Sequence, residues 1–400
     1  MRLYNVHTLK ETADVLNNNF SFKTETIHIN DAYHRVLAED VIAEINVPSF
    51  RRSTVDGYAV RATDTNGASD TMPMLITDMG SVEMGKVINE SLKADQGIYV
   101  PTGGMVPDGA DAMVMIEYTE RFSEDTIAVL KQALPLEHIV GIGSDVKMGE
   151  KILSCHQKLQ ARHIGVLAAA GVFYIKVYKK LTATVISTGD ELITSEQDLK
   201  PGQVFDINTH TIRNRLAHFD VDVIKQHVLQ DDKALIKRTM EEAISKSDIT
   251  IISGGSSVGD KDYTAEIIDE LDDHGVLIHG LAVKPGKPTI VGKVKDKLVI
   301  GLPGHPVSAL IVLDQVLEMY LSQMSSYKAT QVKRILSRNV HAAPGKATFI
   351  MVEIDHENAE PIQGKSGMIT LMSKAHGYIM IDENHEGVDE GSLVNVTLLD

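Results

Sequence analysis

The 400-residue sequence has little thiol chemistry to offer: its only cysteine is Cys155. One thiol makes no internal disulfide framework and no cysteine-based zinc cluster, and a reduced, cytosolic setting fits best. Positive charge is scarce as well, with 39 Lys and Arg against 55 Asp and Glu, a formal charge of −16. Such a surface repels phosphate backbones and anionic membranes, which argues against a general nucleic-acid binder. Any anionic ligand must then be held locally, by backbone N–H groups, a few lysines or a bridging metal. Long apolar runs are missing too. The stretch from Ile164 to Ile175 falls far short of the ~20 residues that span a bilayer, and MRLYNVHTLKETADVL has no apolar signal-peptide core. No GxxxxGK[ST], no GxGxxG after a strand and no HExxH occurs, and neither Ser187 nor Ser253 stands as the nucleophile of a GxSxG elbow. A P-loop NTPase, a nicotinamide dehydrogenase, a zincin and a serine hydrolase are therefore poor fits.

What is present is globular. At 43% hydrophobic and 24% charged, the chain can build cores for two to four domains. Residues 8–19 place Leu9, Ala13 and Leu16 at helical spacing, and 29–44 read as a second helical stretch. From Val47 to about Gly149, short β-rich pieces (GYAVRA, GIYVPTGG, DAMVMIEY) alternate with Gly, Pro and Asp turns. Residues 157–171 then read as a helix closed by Gly171. An α segment, a β insertion and a return to α predict a first domain interrupted by a second. Cys155, in KILSCHQ, reads as an inert small hydrophobe.

Beyond residue 177 strands and helices alternate. VYKKLTATVIST, VDVIKQHVL, DITIIS, VLIHGLAV, PTIVGKV and KLVIGL read as strands. THTIRNRLAHF, KALIKRTMEEAISKS, DYTAEIIDELDDHG and PVSALIVLDQVLEMYLSQM read as helices, the last begun by Pro306 near its N1 position. This alternation predicts a mostly parallel, doubly wound sheet. After Tyr327 the strands ATFIMVEID, GYIMIDEN and SLVNVTLL predict a small β domain. The expected fold class is multidomain α/β plus β, with four domains. Residues 1–46 and 150–176 form a discontinuous α-containing domain, 47–149 the β-rich insertion, 177–327 the central α/β domain and 328–400 the C-terminal β domain.

Ligands of a doubly wound sheet bind outside the carboxyl ends of its strands. Five loops collect there: Gly189-Asp190-Glu191, Gln230-Asp231-Asp232, GGSSVGDKD at 254–262, Lys284 to Pro288, and Pro303-Gly304-His305-Pro306. Glycines expose N–H groups to an anion, and the two lysines add point charge. The carboxylates suit Mg²⁺, which prefers oxygen and bridges to phosphate or another oxyanion. Singly, each loop also reads as a turn or a helix cap. Five on one edge read as a site.

VPSFRRSTVDGYAVRATD (47–64), STGDEL (187–192), PGQVFDIN (201–208), SGGSSVGDKDY (253–263), VKPGKP (283–288) and GLPGHPVSA (301–309) occur in this order. Together they resemble the molybdopterin molybdenumtransferase family, MoeA in bacteria and the E domain of gephyrin in animals, over essentially the whole chain. The resemblance implies a cytosolic homodimer, with the site shared between chains, that binds adenylyl-molybdopterin and molybdate. It also implies insertion of the metal into the dithiolene and hydrolysis of the adenylate, releasing molybdenum cofactor and AMP with Mg²⁺ assisting. A molybdopterin adenylyltransferase would be the upstream donor. Matched motif by motif, the catalytic positions are Asp56, Thr102, Asp145, Glu191 and Asp231, and the Mg²⁺ positions Glu191, Asp231 and Asp260. Ser253, Gly254, Gly255, Ser256, Gly259, Asp260, Pro303 and Gly304 match substrate-binding positions. Lys284, Lys287 and Ser308 match a molybdate grip, with the helix N-terminus after Pro306 aimed at the anion. Ser366 and Ser373 are further candidates. Two positions depart from the family pattern: His305 replaces the Asn of LPGNPVS, and Lys346 stands where relatives often carry the bidentate Arg. The central module alone also resembles the adenylyltransferase family, and relatives of gephyrin cluster receptors, so these remain the alternatives. The DGYAVR segment and the C-terminal β domain favour the transferase.

Overall fold

The structure, a computed structural model, describes residues 6–194, 198–254, 263–325 and 329–399. The chain divides into two compact units, one of Thr26–Val177 and one of Met1–Glu25 with Tyr178–Asp400.

In the unit Thr26–Val177, Ile29, Leu37, Val41 and Ala43 share an apolar cluster with Leu153, Leu167, Val172 and Val177. The residues between build separate clusters on a six-stranded sheet. Its order is Ala112–Met115, Gly57–Val60, Gln96–Val100, Met74–Ser81, Thr126–Val129, Thr119–Ser123. At Gly57 a Cβ would lie 2.0 Å from the Val114 carbonyl oxygen, so the strand tolerates no side chain there. The helix Ala161–Ala169 is shorter than expected but is closed by Gly171, at φ +81°. The helix expected over 29–44 does not form. A 3-10 turn at Ile29–Asp31 is followed by extended chain, in which Val36 and Leu37 bridge to Lys158 and Val177. Val41–Ile42 then pairs antiparallel with Lys151–Leu153. The apolar spacing fits a helix or short strands equally, and distant backbone partners decide it.

The other unit begins with α1 (Leu9–Asn19), opened by a capping box in which Thr8 and Glu11 accept each other's backbone N–H. Six strands form the central sheet: β1 (Thr182–Thr188), β2 (Asp222–Leu229), β3 (Ile249–Ser253), β4 (Val276–His279), β5 (Ile290–Val294) and β6 (Lys297–Leu302). Their order is β2-β1-β3-β6-β5-β4, with β2, β1, β3 and β6 parallel and β5 antiparallel to both its neighbours. The helices are α2 (Asn208–His218), α3 (Lys233–Lys246), α4 (Tyr263–Leu271) and α5 (Pro306–Leu321). β3 is buried along its whole length, as a parallel strand covered on both faces should be. The VLIHGLAV run is two elements rather than one. β4 ends at His279, and Val283–Lys284 crosses to a second sheet, where it pairs parallel with Ala347–Thr348.

That second sheet holds Ala347–Asp355, Asn358–Pro361, Gln331–Leu336, Leu393–Leu398 and Gly377–Ile381, and the first of these also pairs with the last, closing a small barrel. A short helix, Ile369–Lys374, was not legible in the sequence. Buried Arg215 of α2 ties the barrel to the sheet domain. It grips Asp314 of α5 with two hydrogen bonds, at 2.6 and 3.0 Å, and donates a third to the Leu399 carbonyl.

Candidate functional site

From β1 the chain moves outward to β2 and then back across to β3, so the sheet reverses direction between β1 and β3. The carboxyl ends of those two strands are where a doubly wound sheet opens a ligand crevice. Ser187 stands opposite Ser253 in the register there. Gly254 leaves β3 at φ +101°, and a Cβ on it would lie 2.2 Å from the Thr188 carbonyl oxygen. Only glycine lets the two strand ends pass so closely. Gly255, Ser256, Gly259 and Asp260 lie outside the described residues.

The loops after β1 and β2 are tied together. Gly189 donates its N–H to the Leu229 carbonyl at 3.1 Å, and Asp231 donates its own to the Asp190 carboxylate at 3.1 Å. A Cβ at Gly189 would lie 2.9 Å from Glu191 Oε2, so the Glu191 carboxylate folds back over its own loop. Glu191 and Asp231 thus stand on neighbouring, linked loops. Asp232 is spent as the N-cap of α3, accepting the Leu235 N–H at 2.8 Å. Among the described residues no three His, Cys, Asp or Glu gather at metal-ligand spacing.

The lysine loop projects from the same sheet edge, between β4 and β5. The Lys287 carbonyl accepts the N–H groups of Leu281 and Thr289 at 3.0 and 2.9 Å, which closes the loop at its base. Lys284 and Lys287 themselves are exposed. At Gly286, φ +114°, a Cβ would lie 2.3 Å from Val312 Cγ2. The loop therefore rests on the second turn of α5, whose first turn carries the buried Ser308. Lys346 lies two residues before Thr348, the strand partner of Lys284.

The start of α5 is partly occupied. Val307 donates its N–H to the Ser366 carbonyl at 3.3 Å, and His305 Nδ1 lies 3.1 Å from Ser366 Oγ. His305 is thus engaged with the barrel domain. Ser373 instead donates to Thr370 within its own short helix. Pro303 is buried, while Gly304 is exposed, with nothing within 4 Å of where its Cβ would be.

One residue of this edge went unassigned in the sequence. Asn208, the first residue of α2, donates from Nδ2 to Ser253 Oγ at 2.7 Å and to the Gly304 carbonyl at 2.9 Å. The motif PGQVFDIN contains it, but nothing in that motif names its partners. A separate cleft of about 470 Å³ beside β2 is lined by Asp206, Thr209, His210, Gln226 and His227, and holds none of the expected site residues. Burial there holds the His227 imidazole below its ordinary pKa, with Lys225 adding to the effect.

In the unit Thr26–Val177, Asp56 and Thr102 are brought together: Asp56 Oδ1 accepts the Thr102 N–H at 2.8 Å. The turn bearing Thr102 is anchored by Ser53, whose carbonyl accepts the Gly103 N–H at 2.8 Å and whose N–H donates to Gly104 at 3.0 Å. Asp145 stands apart. It is exposed, its N–H bonds the Val47 carbonyl at 3.1 Å, and its carboxylate has no hydrogen-bond partner among the described residues.

A doubly wound sheet with a glycine-built exit at its reversal point, joined to a small barrel, defines a multidomain α/β plus β protein. Three family models cover most of the chain in turn: "MoeA N-terminal region (domain I and II)" over residues 7–171, "Probable molybdopterin binding domain" over 184–323, and "MoeA C-terminal region (domain IV)" over 333–399. The chain belongs to the MoeA family. It is similar to a Methanocaldococcus jannaschii protein named for molybdopterin biosynthesis, with 34% identity over 386 residues, 94% of this chain and 92% of that one. It is 30% identical to the molybdopterin molybdenumtransferase of Haemophilus influenzae, over 94% of each chain. A crystal structure of a MoeA protein from Pyrococcus horikoshii matches 99% of this chain and 100% of its own, with a TM-score of 0.88 and 34% identity.

Proposed function

We propose that the protein is a molybdopterin molybdenumtransferase, inserting molybdenum from molybdate into adenylyl-molybdopterin with release of AMP. The observation that carries this reading is the gathering of five loops on one sheet edge: Thr188–Glu191, Gln230–Asp232, Ser253–Gly254, Lys284–Pro288 and Pro303–Pro306. Adenylyl-molybdopterin carries a pyrophosphate and molybdate is a dianion. A chain of charge −16 needs N–H groups and local lysines to hold either. In this reading Ser253, Gly254 and Gly304 line the pyrophosphate, while Lys284, Lys287 and Ser308 hold molybdate.

Glu191 and Asp231, with Asp260, offer the oxygen donors Mg²⁺ prefers. One or two carboxylates plus substrate oxygens suffice for that ion, so a dedicated cluster of three is not required. When bound, Mg²⁺ would offset the charge of the phosphates in an acidic crevice. Asp56, Thr102 and Asp145 belong to the other unit. We place them in a site completed by the α/β domain of a second copy, which makes the working form a cytoplasmic homodimer. A molybdopterin adenylyltransferase would supply the substrate. We also read the chain as four domains, with the breaks the sequence suggested; the separate apolar clusters of 29–43 with 153–177 and of 55–139 support the interrupted arrangement, while Leu16 and Phe20 of the first segment join the α/β core instead.

Anaerobic incubation with adenylyl-molybdopterin, molybdate and Mg²⁺ tests the reading. AMP should be released, and chelation of Mg²⁺ should suppress it. Pyrophosphate release from ATP and molybdopterin would point to an adenylyltransferase instead. Inertness in both assays would point to a scaffold.

A further inference from the structure

Asn208 opens α2 but does not cap it: the N-cap residue is Ile207, and no side chain bonds the helix's first N–H groups from that position. Both Nδ2 hydrogens are spent elsewhere, on Ser253 Oγ and on the Gly304 carbonyl. The side chain is about nine-tenths buried, and its Oδ1 is buried without a partner among the described residues. That unmet acceptor costs free energy, yet the amide cannot profitably turn over. Rotation would set Oδ1 against the Gly304 oxygen, which accepts only. The orientation is therefore fixed by Gly304, and it settles the state of Ser253. Ser253 Oγ accepts from Asn208, and no described residue accepts its own proton in turn. Gly254, directly after it, has its backbone pressed against Thr188, so the hydroxyl is held on a rigid strand end.

We propose that Asn208 is a positioning residue: it fastens the Pro303–Pro306 turn to the end of β3 and leaves the Ser253 hydroxyl as a donor for the anionic substrate. This deepens the transferase reading and rests on it for the identity of that substrate. The tether itself needs no substrate. It joins two loops contributed by different strands, and it holds the turn that starts α5 in register with the crevice floor. A residue that merely filled space would not require two donors on one nitrogen.

The test compares the parental protein with Asn208→Ala, the near-isosteric Asn208→Asp, Ser253→Ala and the Asn208→Ala/Ser253→Ala pair. Amide hydrogen exchange is followed in peptides covering 303–309. Asn208→Ala and Asn208→Asp should both speed exchange there at least several-fold, while exchange in β1 and β6 stays parental. AMP release should show a KM for adenylyl-molybdopterin raised about tenfold in Asn208→Ala, the scale of one lost hydrogen bond to an anion. Part of the Asn208 effect passes through Ser253 and part through Gly304, so the pair should be worse than Ser253→Ala alone but by less than the product of the two single effects. Unchanged exchange at 303–309, or a KM effect that multiplies with that of Ser253→Ala, would overturn the proposal. Absence of AMP release from the parental protein would count against the transferase reading only, and the exchange measurement would then judge the tether by itself.

Discussion

The Asp56 carboxylate accepts the Thr102 backbone N–H at 2.8 Å, across 46 positions of sequence. Both residues are exposed, so the bond shapes a surface turn rather than a core. Asp56→Asn keeps an acceptor for Thr102 and removes only the charge. It should melt within a degree or two of the parent while AMP release falls at least tenfold. Asp56→Ala should lose in addition about 1 kcal/mol of stability, the ordinary worth of such a bond. Parental turnover in Asp56→Asn would take this carboxylate out of the chemistry.

The lysine loop allows binding and folding to be separated. Its backbone bonds close it at the base, and the Lys287 side chain is exposed. Lys287→Ala should therefore raise the molybdate concentration needed for activity on the order of tenfold, from one charge-assisted contact. Binding of adenylyl-molybdopterin should stay nearly parental. An unchanged molybdate dependence would move the oxyanion elsewhere.

The two crevice glycines should behave oppositely. Gly254→Ala forces a Cβ to 2.2 Å from the Thr188 oxygen at φ +101°, and should cost about 2 kcal/mol or more. Gly304→Ala meets nothing within 4 Å and should leave thermal stability almost unchanged. Equal losses on melting would contradict this account of the strand exit.

Acid stability should report Asp248. Burial opposes its ionisation, but Lys297 Nζ at 2.5 Å and the N–H and hydroxyl of Thr182, each at 3.0 Å, outweigh it and hold the carboxyl below its usual value. A depressed folded-state pKa adds stability that is present above the unfolded value of about 3.9 and lost as pH falls through the lower folded value. Denaturation midpoints should therefore drop below about pH 4. Asp248→Asn should be less stable than the parent at pH 7 and show a shallower acid loss. A parallel pH profile in the two proteins would assign the acid loss to other groups.

Much of the fold was legible because it depends on near neighbours. Leu9, Ala13 and Leu16 announced α1, Pro306 announced α5, and the alternation after residue 177 announced the sheet. The segment 29–44 misled because its apolar spacing fits two structures, and Lys151–Leu153, more than a hundred residues on, chose between them. The run VLIHGLAV looked continuous since each half is apolar. Its change of sheet at Val283 comes from pairing with Ala347. Gly254 and Gly286 could be read because a Cβ at either would strike a neighbour. The roles of Asn208 and Ser366 could not: their partners lie 45 and 96 positions from the first, and 61 from the second.

Phe20, just past α1, meets Tyr320 of α5 edge-on, with ring centroids 5.3 Å apart. About 300 residues of chain separate the two rings. On the ribosome, α1 therefore emerges about 300 residues before its packing partner. The unit Thr26–Val177 is translated in the interval and carries its own apolar clusters, so it can fold while α1 still waits with its apolar face bare. For most of its synthesis this protein is a finished insert strung inside an unfinished host, and that waiting helix is where a nascent-chain chaperone would be needed most.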